Sequence, residues 1–181
     1  MPNTYEFYWD TDAEAFVEKM ADAYKRFWNA DRKAKAKAIG LSQSEVTTLA
    51  SIVESEQRRH PDEWPMIAGL YLNRIRKNWK LDSDPTLVFA LGDFSKRRVY
   101  NEDKKVESPY NTYKYLGLPP GPIRIASPRA IDAVLDHKKH DYMFMCAKPG
   151  MGSYHNFAKT LRQHNANARK FHQWQNKEGI H

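Results

Sequence analysis

The chain has 181 residues, of which 41% are apolar and 28% charged, so it fits one folded domain and is neither a disordered tail nor a membrane protein. No apolar run approaches the roughly 18 residues of a membrane-spanning helix, and the N-terminus lacks the basic and apolar regions of a signal peptide. The net charge of +7 lies in residues 61–181, which carry +8, and it indicates either an anionic polymer as partner or a charged surface that only confers solubility.

The first 40 residues predict two helices. Thr11 and Glu14 have the spacing of a capping box, in which a hydroxyl and a carboxylate bind the free amides at a helix start. Apolar residues at helical spacing then predict a buried stripe of Phe16, Met20, Tyr24 and Phe27. A second, Lys/Ala-rich helix is predicted over residues 31–39, and Gly40 is placed to end it. We expect both helices to serve as scaffold.

The middle of the chain predicts two more helices. Ser42 and Glu45 form another capping box at the start of the first. The apolar positions of this helix predict a buried arc of Val46, Leu49, Ala50, Ile52 and Val53. The next helix is predicted from about Trp64 to Trp79. Its apolar stripe consists of Ile67, Leu70, Tyr71 and Ile75.

After Leu81 the pattern becomes irregular. A turn at residues 82–86 leads into a short apolar segment that ends at Gly92, and residues 93–109 are predicted to form a charged, exposed loop. Residues 110–125 combine aromatic and amide side chains with a run of prolines, which fix the backbone and prevent a helix. Rigid irregular segments often line binding sites, because their side chains need no further ordering.

The last third predicts a helix, a hairpin and a final helix. Ser127 and Pro128 are typical of a helix start, with serine as the cap and proline at the first position. Residues 142–147 and 153–157 predict two strands joined by a turn, and residues 161–175 predict the last helix. No repeat or internal linker interrupts the chain. We therefore predict a single, mostly helical α+β domain with a small antiparallel hairpin near the C-terminal third.

Two glutamates, Glu54 and Glu56, lie near the end of the third predicted helix. At 3.6 residues per turn they point about 200° apart, so a single site that uses both is not expected. Glu54 falls at the edge of the buried arc, close to the direction of Ala50, where a helix wall could meet a cleft. Glu56 falls on the other side, where a structural partner such as an arginine or a backbone amide is expected. The pattern alone does not choose between them.

The sequence gives little support for a disulfide, a metal site, a phosphate-binding site or a serine nucleophile. Cys146 is the only cysteine, which excludes an internal disulfide and a cysteine-rich zinc site, and we interpret it as a small buried hydrophobe. The seven histidines lack metal-ligand spacing, and no phosphate-binding glycine motif or Gly-x-Ser-x-Gly elbow is present. We therefore predict neither a metal nor a cofactor.

Aromatic and amide side chains are dense in the second half of the chain, together with Asn73. They are Asn73, Tyr110, Asn111, Tyr113, Tyr115, Tyr154, His155, Asn156, Phe157, His164 and Asn165. Flat rings and amides bind sugars, and rings with cations bind single-stranded nucleic acid. The alternative interpretation is that some of these aromatic side chains are buried in the hydrophobic core and bind no ligand. Because the basic residues are scattered rather than clustered, we do not expect nucleic acid as a partner.

Six short blocks carry a resemblance to a known family. They are LASIVESE at 49–56, IAGLYLNR at 67–74, SDPT at 83–86, SPYNTY at 108–113, GLPPGPI at 117–123, and HNF at 155–157 followed by HN at 164–165. In this order and spacing they resemble the YceG-like family, the endolytic murein transglycosylases. The resemblance extends over nearly the whole chain, from about residue 2 to residue 167.

The resemblance implies a catalytic domain over residues 1–181, with a helical lead-in at 1–40, a catalytic core at 41–167, and a helix end and tail at 168–181. Members of the family are anchored in the bacterial inner membrane and carry a small LysM-like region. We therefore expect this chain to be a fragment without that region and anchor, active at the extracytoplasmic (periplasmic) face of the membrane. Its implied partners are peptidoglycan glycan strands, with peptidoglycan synthases as further candidates.

The resemblance also implies an activity and its residues. It implies a lyase that cuts within peptidoglycan strands between N-acetylmuramic acid and N-acetylglucosamine and leaves a 1,6-anhydro end. Glu54 matches the position of the single catalytic acid–base. The expected cleft residues are Asn73, Asp84, Asn111, Thr112, Tyr113 and His155. For Asp84 a purely architectural role, as cap of the helix after Pro85, is the alternative.

Two further points stay open at this stage. The stretch Gln57-Arg58-Arg59 is more basic than the resemblance leads us to expect, which changes the charge beside the proposed acid. A non-catalytic peptidoglycan-binding or scaffolding module would use the same cleft, so the sequence leaves that function as the alternative to the lyase.

Overall fold

The computed structural model of the chain describes residues 3–96, 98–150 and 152–179. Within them, six helices are followed by two strands and a last helix. The helices are α1 Ala13–Phe27, α2 Ala30–Ile39, α3 Gln43–Glu56, α4 Trp64–Arg76, α5 Asp84–Leu91, α6 Pro128–Leu135 and α7 Leu161–Glu178, and the antiparallel strands are β1 Phe144–Ala147 and β2 His155–Ala158. The predicted α+β class, with its small hairpin near the C-terminal third, is confirmed. No described helix combines the length and the apolar character that crossing a membrane requires.

Local capping signals place several helix ends where the sequence predicts them. The Ser42 side chain accepts the backbone N–H of Glu45 while the Glu45 carboxylate accepts that of Ser42, which is the predicted capping box of α3. Gly40 follows α2 with a φ of 76°, a left-handed conformation that favours glycine. Ser127 caps α6, and Pro128 stands at its first position.

The N-terminal helix differs from the prediction in its cap and in its burial. Asp12, not Thr11, caps α1 by accepting the N–H of Ala15, while the Thr11 hydroxyl donates to Tyr8. No residue of α1 is buried, and Phe16 is 49% exposed. Helical spacing alone predicted a stripe facing a core. The side-chain pattern is present, but no other helix of the described chain covers it along its length.

The core forms where α3, α4 and α6 pack against one another. The predicted arc of α3, consisting of Val46, Leu49, Ala50, Ile52 and Val53, is fully buried there. Ile67, Leu70 and Tyr71 of α4 are buried beside it, as predicted. The helix α4 ends three residues earlier than predicted, because Asn78 adopts a φ of 49° that a right-handed helix does not allow. This core fixes the C-terminal end of α3 against α4.

The chain crosses α4 closely on its way from α6 to β1. Gly69 lies at the crossing, where an added Cβ would stand 2.3 Å from the carbonyl oxygen of Lys138. The Lys138 N–H donates to the carbonyl of Pro65 at 2.9 Å, and the Asn73 amide donates to the carbonyl of His140 at 2.6 Å. The absence of a side chain at Gly69 therefore lets the segment lie directly on α4, and these bonds fix where β1 begins.

The hairpin stands beside the end of α3. Its strands pair antiparallel from Phe144 opposite Ala158 to Ala147 opposite His155, and α7 packs on both strands. Both strands begin two residues later than predicted, at Phe144 and at His155. The predicted turn at 149–152 includes Met151, which lies outside the described residues. The helix α7 continues past residue 168, and the division of the chain at 40 and 167 stays a prediction.

Candidate active site

A cavity of about 550 Å³ opens between the end of α3, α4 and the hairpin. Its polar lining consists of Glu56, Tyr71, Arg74, Asp82, Asp84, Tyr113, His155 and His164, and its apolar and aromatic lining includes Leu70, Trp79, Phe144, Met145, Cys146 and Leu161. A concave site of this size, with a few polar groups among apolar walls, is typical of a small-molecule or glycan subsite. Helices α3, α4, α5 and α7, both strands and two loops contribute residues to this cavity.

Glu56 is the carboxyl group of this cavity with the most unusual surroundings. Its Oε1 accepts the Tyr71 hydroxyl at 2.6 Å and the Ser83 hydroxyl at 2.5 Å. Burial raises the pKa of the Glu56 carboxyl above its ordinary value, and these two hydrogen bonds oppose the shift. A carboxyl group that keeps its proton more readily than usual, and that lines an open cavity, is suited to act as a general acid.

The two donors to Glu56 are themselves held in place. Burial raises the pKa of Tyr71 well above its ordinary value, and the neighbouring Glu56 charge adds to this, so the phenol remains a donor. The backbone N–H of Ser83 donates to the Thr112 hydroxyl at 3.0 Å, and Thr112 is in turn within 2.8 Å of the Thr86 hydroxyl. Buried Thr112 thus orients Ser83 from behind and does not itself line the cavity.

His155 is oriented by a buried carboxylate. Its Nδ1 lies 2.9 Å from one oxygen of Glu63, and its backbone N–H donates to the other oxygen, also at 2.9 Å. Glu63 also accepts the side-chain amide of Gln57 at 2.8 Å and is only 8% exposed. Because the carboxylate oxygen accepts at Nδ1, the ring carries its proton there and Nε2 is left for the cavity.

Asp84 and Tyr113 form one wall of the cavity. The Tyr113 hydroxyl donates to the Asp84 carboxylate. Burial raises the pKa of Tyr113 far above its ordinary value, and the hydrogen bond to Asp84 raises it further. Asp84 does not cap α5: Ser83 occupies the cap position, without a side-chain capping bond, and the Asp84 carboxylate is bound to Tyr113. The alternative interpretation of Asp84 as a helix cap is therefore wrong.

Aromatic rings form another part of the lining. Trp79 meets Phe144 edge to face at 5.8 Å, and His164 stacks on Phe144 at 5.5 Å. Burial lowers the pKa of His164, which keeps its ring neutral, and its buried Nδ1 has no hydrogen-bond partner within the described chain. Cys146 lines the cavity from β1 and is only partly buried, so the interpretation of it as a core hydrophobe is wrong.

Glu54 lies elsewhere. Its Oε2 accepts the backbone N–H of Ser127 at 2.9 Å, directly before α6, and Glu54 does not line the cavity. A carboxylate at the start of a helix binds a free amide and interacts favourably with the helix dipole. The structure thus places the expected structural carboxylate, Glu56, in the cavity, and places Glu54 in a contact between α3 and α6. This cavity is therefore lined by Glu56 and not by Glu54, the reverse of the expected arrangement, and the catalytic role of either glutamate stays a prediction.

The six expected cleft residues divide into two groups. Asp84, Tyr113 and His155 line the cavity, whereas Asn73, Asn111 and Thr112 do not. The Asn73 amide donates to the carbonyls of His140 and Tyr142. Fully buried Asn111 donates to two backbone carbonyls of the preceding loop and accepts the N–H of Tyr113. These amides hold backbone segments around the site, because buried polar groups must be paired.

Several residues of the site were not predicted from the sequence. Glu63 lies in none of the six blocks, Ser83 opens the SDPT block but received no role, and Tyr71 was assigned only to the core. One signal was available: Tyr71 belongs to the apolar stripe of α4, and a tyrosine hydroxyl that is buried with such a stripe requires a hydrogen-bond partner. In the structure that partner is Glu56.

Comparisons with known proteins agree with this architecture. A family model described as the YceG-like family matches residues 1–170. Proteins named endolytic murein transglycosylase are 34% identical over 173 residues in Bacillus subtilis (strain 168) and 29% identical over 170 residues in Streptococcus pneumoniae serotype 2. A crystal structure of a YceG-like protein from Listeria monocytogenes matches with a TM-score of 0.78 and 35% identity.

These similarities cover most of this chain but only part of each relative. The matches include 94% of the chain for the Bacillus protein, 92% for the Streptococcus protein and 92% for the Listeria structure. The chain spans 46%, 30% and 53% of those proteins, respectively. It therefore corresponds to about half or less of the length of the relatives that it matches.

Proposed function

The chain belongs to the YceG-like family, and from this premise we propose that it cleaves peptidoglycan as an endolytic transglycosylase. The names of its curated relatives support this activity. The observation that carries the proposal is Glu56, a carboxyl group with a pKa raised by burial, in the wall of an open cavity of about 550 Å³. We propose Glu56, in place of Glu54, as the catalytic acid–base.

One carboxyl group suffices for this reaction. Protonated Glu56 donates to the oxygen that links N-acetylmuramic acid to N-acetylglucosamine, and the bond from the anomeric carbon to that oxygen breaks. The 6-hydroxyl oxygen of the same muramic residue bonds to the anomeric carbon, and the Glu56 carboxylate accepts the hydroxyl proton. The products are a free 4-hydroxyl and a 1,6-anhydro end, no water is consumed, and the acid is regenerated.

The neighbours of Glu56 fit this cycle. Tyr71 and Ser83 donate hydrogen bonds that stabilise the ionised carboxylate after it gives up its proton, whereas burial favours the protonated form before the step. Such a balance is what an acid that later acts as a base requires.

The remaining lining residues are assigned to substrate binding. We assign the rings of Trp79, Tyr113 and Phe144 to the C–H faces of sugar units, and the Asp84 carboxylate to a sugar hydroxyl. Nε2 of His155, whose ring is fixed by Glu63, is assigned to an acetamido or hydroxyl group. Asn73, Asn111 and Thr112 are assigned to support of the site, since their side chains bind the protein itself.

We propose that the reaction takes place at the extracytoplasmic face of the bacterial inner membrane, where peptidoglycan strands are made and trimmed. The glycan strands are the substrate, and peptidoglycan synthases are candidate partners. The names of the murein transglycosylases that the chain resembles support a cell-wall substrate.

Digestion of purified sacculi tests the proposed function. We expect the protein to release muropeptides with 1,6-anhydro ends, identified by mass spectrometry, and we expect the Glu56→Gln variant to release almost none. Binding to sacculi without any anhydro product would instead favour a non-catalytic peptidoglycan-binding module. Products with reducing ends would indicate hydrolysis by water and would contradict the intramolecular attack.

A further inference from the structure

A second cavity, of about 980 Å³, lies directly beside the candidate active site. Its lining comes from the end of α3 and the residues after it, from α5, from the loop that follows α5, and from the proline-rich loop before α6. The lining residues are Ser55, Arg58, Arg59, Asp84, Pro85, Val88, Phe89, Phe94, Lys96, Val99, Ile123 and Arg124. Asp84 lines both cavities, so the two are contiguous at that residue. We call this second space the basic cavity.

The charge of the basic cavity is strongly unbalanced. Four cations line it, and Asp84 is its only carboxylate among the described residues. Lys96 is neutralised by an ion pair with Asp103 at 2.9 Å, which lies outside the lining. Arg59 donates to the uncharged hydroxyl of Ser153. Arg58 and Arg124 form no ion pair with any residue that the structure describes.

The walls between these cations are apolar. Val88, Phe89, Phe94, Val99 and Ile123 contribute hydrocarbon surface, and Phe94 is 73% exposed. A ligand that fits must therefore carry negative groups for three guanidinium groups and small apolar groups for the walls. Guanidinium groups bind carboxylates through two parallel hydrogen bonds. A glycan strand without stems offers only the lactyl carboxylate of each muramic acid residue and no amino-acid side chains for the walls, and a phosphate polymer offers nothing apolar.

We propose that the basic cavity binds the peptide stem of the muramic acid residue, a short peptide branch with free carboxylates and small alkyl side chains. This inference rests on the proposed function, because it places the glycan in the neighbouring cavity. Asp84 marks the junction where a branch would pass from one cavity to the other. The protein then favours strands that still carry stems with free carboxylates over strands from which the stems have been removed.

The test measures binding rather than cleavage. Three labelled tetrasaccharides serve as probes: one with free-carboxylate stems, one with the same stems amidated, and one without stems in which the lactyl carboxylates of muramic acid are amidated. Fluorescence anisotropy gives their affinities for the full chain in a Glu56→Gln background, which prevents turnover during the measurement. We expect roughly tenfold or stronger binding of the free-carboxylate probe. This preference should shrink as salt shortens the Debye length from roughly 10 Å to 3 Å.

Two double variants localise the effect. Arg58→Gln with Arg124→Gln should bind all three probes about equally, because it removes the two guanidinium groups without a partner. Arg169→Gln with Lys170→Gln removes the same charge from the exposed face of α7, which lines neither cavity, and should keep the preference. If the Arg58/Arg124 double variant does not fold, the amidated probe tests the same contact, because it removes the carboxylates of the ligand and leaves both arginines in place.

Several outcomes would overturn the inference. They are equal affinity for the three probes, a preference that survives in the Arg58/Arg124 variant, and a preference lost equally in the Arg169/Lys170 control. Displacement of the free-carboxylate probe by polyphosphate at lower concentration than by unlabelled probe would reassign the cavity to a phosphate polymer. Cleavage of stem-free strands by the unmodified protein is scored separately. That activity without a carboxylate preference would leave the proposed function standing, whereas the preference without any cleavage would contradict the transglycosylase.

Discussion

Glu54 and Glu56 are two residues apart on one helix, and their carboxylates serve different parts of the molecule. Glu54 binds a backbone amide at the start of α6, in a contact that joins two helices. Glu56 faces a cavity, where two hydroxyl groups bind it and burial raises its pKa. The comparison shows that the role of a carboxylate follows from the groups that the fold brings to it. Both residues are glutamates on the same helix, so residue type alone does not distinguish their roles.

The largest expected difference between the two glutamates is in catalysis. Glu56→Gln keeps the oxygen that accepts from Tyr71 and Ser83 but cannot transfer a proton. We expect the yield of anhydro-muropeptides from sacculi to fall by about 10²–10⁴-fold, the contribution of general acid–base catalysis. Glu54→Gln should retain most of the activity, because Glu54 does not line the cavity.

The paired measurement includes the melting temperature of both glutamine variants. Loss of activity in Glu54→Gln at an unchanged melting temperature, together with full activity in Glu56→Gln, would reverse the assignment. Comparable losses in both variants would mean that the contact of Glu54 with α6 also positions the site.

A third glutamate sharpens the comparison, since Glu63 is buried and does not itself line the cavity. Glu63→Ala removes the acceptor of three donors, one from Gln57 and two from His155. We expect the free energy of unfolding to fall by about 3 kcal/mol, measured by denaturant titration. Glu102→Ala is the matched control, because its ion pair with Lys105 is exposed and should contribute less than about 1 kcal/mol. Similar small losses in both variants would show that Glu63 does not hold this network.

Glu54 itself should affect stability more than activity. Glu54→Ala leaves the N–H of Ser127 without its carboxylate at the start of α6, and we expect a loss of about 1 kcal/mol in the free energy of unfolding. Glu54→Gln keeps an acceptor and should lose less. Denaturant unfolding with an unchanged m-value measures both. A larger loss for glutamine than for alanine would contradict a simple hydrogen bond.

The smallest expected effect is a pH dependence of stability that Glu56 contributes. Because the fold raises the pKa of Glu56, its contribution is fully present below the pKa of an unfolded glutamate and is lost as pH rises through the folded value. Glu56→Gln lacks this loss. Its melting temperature should therefore rise relative to the unmodified protein as the pH increases above about 4, the pKa of an unfolded glutamate.

The same thermal series can also contradict this prediction. A difference between Glu56→Gln and the unmodified protein that stays constant, or that decreases with rising pH, would mean that the ionised carboxylate is stabilised in the fold.

Sequence signals that act over a few residues predicted the helices well and the residues of the candidate site only in part. The capping box of Ser42 and Glu45, the stop at Gly40 and the buried arc of α3 depend on neighbours within a few residues, and all three are confirmed. The predicted burial of the apolar stripe of α1 is wrong, because periodicity predicts which residues share a helix face, while burial depends on which other segments cover that face. Asp84, Tyr113 and His155 lie in the cavity as expected, whereas Asn73, Asn111 and Thr112 bind backbone and support it.

The sequence by itself determined the family, the α+β class and most helix boundaries, because these depend on motif order and on contacts within a few residues. Only the tertiary structure decided which glutamate enters the cavity. Glu56 acquires its hydrogen bonds from Tyr71, 15 residues away, and from Ser83, 27 residues away, and its pKa shift arises from burial by these and other distant segments. A helical wheel shows only the direction in which a side chain points from the axis of its helix. The chemistry of that side chain is set by the solvent that it loses and by the partners that it gains when the other segments pack around it.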